Sequence, residues 1–304
     1  MKIVWVAGGL GNQFFQYAFA KAYSIKNNCE VLLDISFFKN RKIVNDTSIG
    51  GQHSYYGLKL YKTKIKLATP EQCTMLKRNG SHQNTISSRK GYILKKNKKS
   101  VNSVIKEKYP GAYEPSLIDN KDSDVYFKGY MQSEKYFYKY RNELINDLTL
   151  DIPLDYKNTQ MLELIRSTNS VSLHVRRGDY ASIKGRSLIL PISYYKNAIR
   201  FIVSNTNNPH FYVFSNDIEW VNANLQLEKK YTVIDFNPPN KGYFDLELMR
   251  NCKHNITANS SFSWWGAWLN QNPEKIVIAP NPWFEADSHR FEDIIPRSWI
   301  KIER

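Results

Sequence analysis

The densest concentration of reactive side chains is His174-Val175-Arg176-Arg177-Gly178-Asp179-Tyr180, which ends an apolar run. If that run is a strand, alternation sends His174 and Arg176 to one side and leaves Arg177, Gly178 and Asp179 in the turn at its carboxyl end. Two guanidinium groups there match phosphate oxygens bidentately, and Asp179 offers a proton acceptor. The same residues also fit a salt-bridged turn beside a core histidine, but four polar side chains crowded behind one strand favour the ligand-binding reading. Asn259-Ser260-Ser261-Phe262 falls where another strand gives way to a helix. Hydroxyls and free amides at a helix N-terminus bind anions, although a serine there is also an ordinary cap. A third stretch, Phe214-Ser215-Asn216-Asp217, leaves two readings level: a helix cap at Asn216 and Asp217, or Asp217 accepting hydrogen bonds from a base or ribose.

These residues act together only if the chain alternates strands and helices. Ile3 to Ala7 reads as a strand, Gly8-Gly9-Leu10-Gly11 as a turn, and Phe14, Phe15, Ala18, Phe19, Ala22 and Tyr23 as one helix face, followed by a strand at Val31 to Asp34. A β-loop-α-β unit with a right-handed crossover predicts a parallel sheet. Lys59 to Lys108 is weakly patterned and reads as helices and loops; a strand at Val125 to Phe127 leads to an aromatic helix from about Glu134 to Asp147. After Asp151-Ile152-Pro153, strands at Ser170 to Val175, Phe211 to Ser215, Tyr231 to Asp235, Asn255 to Ala258 and Lys275 to Ala279 interleave with four helical patterns. The expectation is two α/β domains, 1–152 and 153–304, facing a central cleft at the carboxyl ends of their strands.

At 304 residues and 35.6 kDa, with 42% hydrophobic and 14% aromatic content, the chain has material for two cores and excludes disorder as a class. Cys29, Cys73 and Cys252 are too few and too scattered for a disulfide scaffold or a metal site, which points to buried thiols in the cytoplasm. The opening Met1 to Ala7 reads as a strand rather than a signal peptide, and no apolar run approaches the roughly 20 residues of a membrane helix. Net charge is +15, and +12 of it lies between Lys59 and Lys108. That segment suits an anionic partner or a solvated face equally. Two other function classes follow from single features. Nucleic-acid binding would rest on the basic segment, and a nicotinamide-dependent oxidoreductase on Gly9-x-Gly11 with Asp34. Phe14 stands where the dinucleotide fingerprint needs its third glycine, which disfavours that cofactor. Asp122-Ser123-Asp124 imitates a metal-holding Asp-x-Asp but reads as a solvated turn, and no histidine spacing asks for a metal.

Taken together, Gly8-Gly9-Leu10-Gly11-Asn12-Gln13-Phe14-Phe15-Gln16-Tyr17-Ala18, His174 to Tyr180, Phe214 to Asp217, Asp245-Leu246-Glu247-Leu248-Met249 and Ala258 to Trp265 resemble the bacterial α-1,2-fucosyltransferases, glycosyltransferase family 11. The resemblance runs almost end to end. It implies a GT-B-like fold of two Rossmann-type domains and metal-free, inverting transfer of L-fucose from GDP-fucose to O2 of a galactoside, with no cofactor and no nucleic-acid partner. By the same resemblance Arg176 holds the β-phosphate, His174 and Asp217 the guanosine, and Ser260, Ser261 and Phe262 the pyrophosphate. Gly9, Gly11 and Asn216 complete the donor-binding set, and Asn12 faces fucose and acceptor. The motif does not identify the base; Asp179 is the candidate, with an acid of the first domain in reserve. Surface-polysaccharide assembly in the cytoplasm is the expected setting, with the segment 59–108 touching the inner membrane and a lipid-linked glycan as acceptor.

Overall fold

The computed structural model describes residues 1–39, 55–79, 103–178, 180, 188–225, 229–285 and 288–304. In its first half β1 (Lys2–Trp5), α1 (Leu10–Asn27) and β2 (Val31–Asp34) form the expected crossover unit, with β1 and β2 parallel. Two further helices, α2 (Ser36–Lys39) and α3 (Pro70–Asn79), precede β3 (Ser103–Lys106), α4 (Pro115–Ile118), β4 (Val125–Lys128) and α5 (Arg141–Asp147). The four strands make one parallel sheet in the order β2-β1-β4-β3.

The second half carries α6 (Tyr156–Ser167), β5 (Asn169–Val175), α7 (Ile192–Asn205), β6 (Pro209–Ser215), α8 (Ile218–Asn224) and β7 (Tyr231–Ile234). It closes with α9 (Gly242–Arg250), β8 (His254–Ile256), α10 (Ser261–Leu269), β9 (Val277–Asn281) and β10 (Ile300–Glu303), giving a six-stranded parallel sheet in the order β10-β9-β8-β5-β6-β7. Two α/β sheets facing one cavity are the GT-B arrangement.

Three elements depart from the sequence reading. The helix expected over 134–147 is two 3-10 turns, Glu134–Tyr136 and Tyr138–Tyr140, followed by α5. The break falls at Phe137, whose φ of −139° and ψ of 0° are not helical and whose ring stacks on Trp265 at 5.5 Å. Within Lys59 to Lys108 the chain forms β3 as well as α3, and β10 adds an edge strand; each has only two apolar residues, too few for a clear period.

Helix α10 explains how the halves meet. Trp264, Trp265, Ala267, Trp268 and Leu269 are all buried, so this helix is covered on every side, as its all-round hydrophobicity requires. Phe14 and Phe15 of α1 lie 5.5 Å and 4.4 Å from the rings of Trp265 and Trp264, so one core runs through both halves. Arg141 of α5 secures the far end by donating to the carbonyls of Trp268 and Asn270 at 2.7 and 2.8 Å, satisfying acceptors that a helix terminus leaves open. The tryptophan cluster is therefore packing.

Candidate active site

A cavity of about 430 Å³ lies between the sheets, walled by the strand-to-helix turns of both. Its floor is a close approach of two helix N-termini. A Cβ on Gly11, in the first turn of α1, would sit 2.5 Å from the carbonyl carbon of Ser261 and 2.7 Å from the amide nitrogen of Phe262. Only glycine allows that contact. No side chain caps α1, and Ser260 Oγ takes up one amide of α10, that of Phe262, at 3.3 Å. Two positive helix ends thus face the cavity side by side, an anion site stronger than either alone.

Arg176 brings a full charge to the same place. It and His174 point to one side of β5, as alternation predicted, and both line the cavity. The Arg176 guanidinium lies 5.3 Å from the centre of the Tyr180 ring. Burial, reinforced by the positive charge of Arg176, pulls His174 down to about 3, so its imidazole is neutral. Its Nδ1 has no hydrogen-bond partner among the described residues.

The two-arginine clamp is corrected. Arg177 turns away: its Nε lies 3.4 Å from Asp217 Oδ2 and its guanidinium 4.1 Å from the centre of the Trp220 ring. Asp217 is Arg177's partner, and its other oxygen accepts the Trp220 amide at 3.1 Å and caps α8. Asn216 does line the cavity, and its Oδ1 accepts the Arg177 amide at 3.0 Å. A Cβ on Gly178 would come within 2.2 Å of Asn216 Nδ2, which explains the glycine. Asp179 lies outside the described residues. Gly9, Gly11, Asn12, Ser260, Ser261 and Phe262 all reach the cavity.

The carboxylate that does line the cavity is Asp245, whose segment the sequence matched without giving it a role. Burial pushes it up to about 7, against a hydrogen bond from Asn237 Nδ2 at 2.7 Å. Asn237 is itself locked by reciprocal bonds to Asn158 at 2.8 and 2.9 Å. Sequence reasoning passed over Asp245 because an acid in the first turn of a helix reads as a partner of the helix dipole. Asn259 was also missed as a site residue: it is fully buried, lines the cavity, and its Oδ1 has no partner among the described residues.

Other candidates fall elsewhere. Asp34 accepts from Lys77 at 2.7 Å, the Tyr126 hydroxyl at 2.6 Å and the Ser36 amide at 2.8 Å. Burial opposes its charge, but these donors outweigh it and draw Asp34 down to about 2, as for a structural carboxylate. In the Asp122-Ser123-Asp124 turn, Asp124 pairs with the amino group of Met1 and Asp122 with Asn120. Of the basic segment, Lys64, Lys66 and Lys77 pair with Asp147, Glu30 and Asp34, and the stretch 80–102 lies outside the described residues.

A binding cavity with an anion floor and one buried carboxylate fits several nucleotide-dependent reactions, and the whole-chain comparison decides among families. The family model described as Glycosyl transferase family 11 matches residues 1–303. The chain belongs to glycosyltransferase family 11. This family 11 enzyme is 34% identical over 311 residues to an alpha-1,2-colitosyltransferase of Escherichia coli, covering 98% of both chains. It is 30% identical over 319 residues to the O-antigen biosynthesis glycosyltransferase WbnK of Escherichia coli, covering 98% of this chain and 99% of that one. Among solved structures, fucosyltransferase NodZ from Bradyrhizobium superposes with a TM-score of 0.45 at 8% identity, covering 87% of this chain and 92% of that one.

Proposed function

We propose that this family 11 enzyme transfers L-fucose from GDP-fucose to O2 of a galactoside with inversion at the anomeric carbon. The observation that carries the reading is the convergence of Arg176 and two helix N-termini on one cavity whose wall also holds Asp245. The diphosphate rests on the helix ends beside Arg176, and the guanine presents its N1–H and N2–H donors to Asp245, which accepts both when ionised. This moves the base-reading role from Asp217 to Asp245. As the glycosidic bond breaks, negative charge grows on the departing GDP, and Arg176 with the helix amides stabilises it without a metal. Among the described residues no group of three His, Cys, Asp or Glu is placed to hold one. The acceptor hydroxyl attacks from the opposite face and gives its proton to a base, for which Asp179 is the candidate.

A second donor has its own support in the 34% identity to a colitosyltransferase. Colitose is the 3-deoxy counterpart of L-fucose, so GDP-colitose makes the same demands on the diphosphate and base sites. The protein is incubated with each donor and a panel of galactosides, with and without EDTA, and the product linkage is read by NMR. An α-1,2 linkage formed in EDTA is expected; transfer from neither donor overturns the reading. The WbnK relative supports a role in O-antigen assembly. There the acceptor is lipid-linked, and the 59–108 segment docks the enzyme peripherally at the cytoplasmic face. Salt-sensitive co-sedimentation with anionic vesicles tests that contact.

A further inference from the structure

Opposite the donor-binding turns, the cavity wall is made by the segment after β4, and three features there have no place in donor binding. Gln132 lines the cavity, and its Nε2 donates to Asn12 Oδ1 at 2.8 Å while its backbone amide donates to the Pro110 carbonyl at 2.8 Å. The bond ties the two amides together, and turning both over only exchanges their roles, so in either arrangement the pair keeps one acceptor and one donor. Gln132 Oε1 and Asn12 Nδ2 then remain, one acceptor and one donor, with no hydrogen-bond partner among the described residues. A neutral donor beside a neutral acceptor suits sugar hydroxyls, each of which both gives and accepts, whereas a phosphate can use only the donor.

The turn that delivers Gln132 is held under constraint. Met131 is buried with φ at +52°, a left-handed conformation that a non-glycine residue adopts at a cost. Glu107 maintains it from behind, accepting the Tyr130 amide at 2.6 Å and the Met131 amide at 2.8 Å, one on each oxygen. A Cβ on Gly129 would lie 2.4 Å from Glu107 Cβ, so the glycine makes room for this clamp. Beside Gln132 the rings of Tyr130 and Phe291 and the ring of Pro110 also line the cavity, an apolar surface of the kind on which a pyranose face rests.

We infer that the Gln132–Asn12 amide pair, seated by Glu107 and flanked by Tyr130 and Phe291, binds the hydroxyls of the acceptor hexopyranose. The inference rests on the glycosyl-transfer reading. Asn12 lies in the first turn of α1, next to the diphosphate floor, and meets both sugars. Gln132, on the segment after β4 and bonded through its backbone amide to the Pro110 carbonyl, meets the acceptor. Glu107 is a positioning residue that acts through the turn.

Initial rates are measured with the full chain at saturating donor and varied methyl β-D-galactopyranoside, alongside GDP titration calorimetry and donor hydrolysis without acceptor. For Gln132→Ala the acceptor KM is expected to rise about tenfold or more, the scale of two lost neutral hydrogen bonds. GDP affinity stays within about twofold and acceptor-free hydrolysis is unchanged. Glu107→Gln, which replaces one acceptor oxygen with a donor, raises the same KM several-fold and leaves kcat at saturation nearly intact, a split that general destabilisation does not produce. If Gln132→Ala fails to fold, Gln132→Glu, which keeps the volume but leaves the position without a donor and adds a charge, takes its place with the same expectation. An unmoved acceptor KM, or a loss falling on GDP affinity or hydrolysis, overturns the inference while leaving glycosyl transfer standing. A wild-type protein that binds no GDP and transfers from neither donor fails the underlying reading.

Discussion

On the wall built by β5, β6 and β8, the ligand-facing groups other than Asp245 sit within a few residues of a strand end: His174 and Arg176 at β5, Asn216 after β6, Ser260 after β8. On the wall built by β1 and β4, the groups are placed by side chains that bond backbone far away in sequence. Gln13 accepts the amide of Gly57, Gln16 donates to the carbonyl of Gly129, and Glu107 accepts the amides of Tyr130 and Met131. The first kind of wall is local geometry and needs little else to form. The second exists only after the chain has folded around it, and can change without disturbing the strands of the first.

The sharpest way to break this division is at Arg176. Arg176→Ala removes the one arginine on the cavity wall among the described residues, and transfer is expected to fall by about 10²–10³ or more, with Arg176→Lys recovering little because lysine lacks the planar fork. Near-normal turnover in Arg176→Ala protein would dissolve the donor wall as described.

Asp245→Asn is next. Its loss should weaken GDP by about tenfold or more, because an amide presents a donor where the guanine also donates. The pH dependence has a definite sign. With Asp245 raised to about 7 in the free protein, binding below that pH requires loss of a proton, so GDP affinity falls toward acid by up to about tenfold per unit. The slope should vanish in Asp245→Asn. Stability runs the other way. A raised carboxyl pKa means that the folded state loses stability as pH rises from the ordinary carboxylate range to about 7, so Asp245→Asn should raise Tm at pH 8 in the absence of GDP. Calorimetry at pH 6, 7 and 8 and thermal melts read both effects.

Gly11→Ala strikes the seam between the walls. Its methyl meets backbone rather than a movable side chain, so a cost of about 1–3 kcal/mol is expected, visible as a lower Tm. GDP affinity should drop with it, since the floor is the same contact; an unchanged melt would show that the helices part freely. The smallest effect belongs to Asp217→Asn. Here the cap survives, because Asn caps as well as Asp, and only the Arg177 contact is weakened, by about 0.5 kcal/mol, while GDP affinity stays within about twofold. A large loss of GDP binding in that variant would restore Asp217 to the guanosine site and displace Asp245.

Much of the donor wall could be read directly from the chain. Strand alternation put His174 and Arg176 on one side, and an apolar run ending at Asn259-Ser260 placed a helix start at the cavity. The limits appear where one residue has two local uses. Asp217 and Arg177 looked like ligand groups, and the structure spends them on each other, on a helix cap and on Trp220. Asp245 was matched within the segment Asp245 to Met249 without a role, and the structure buries it on the cavity wall. Gly9-x-Gly11 resembled a cofactor fingerprint, and Gly11 proved to serve the contact between α1 and α10.

The sequence by itself determined the two α/β halves, the strand ends that carry the site and the family, because periodicity and motif spacing are properties of neighbouring residues. Tertiary structure alone decided that α10 is buried between the halves, that two helix N-termini share one floor, and that Gln132 reaches Asn12 across 120 residues. Those depend on which backbone groups remain unsatisfied and which carboxylates lose their water once distant segments meet, and neither desolvation nor long-range hydrogen bonding has a period that a linear chain displays.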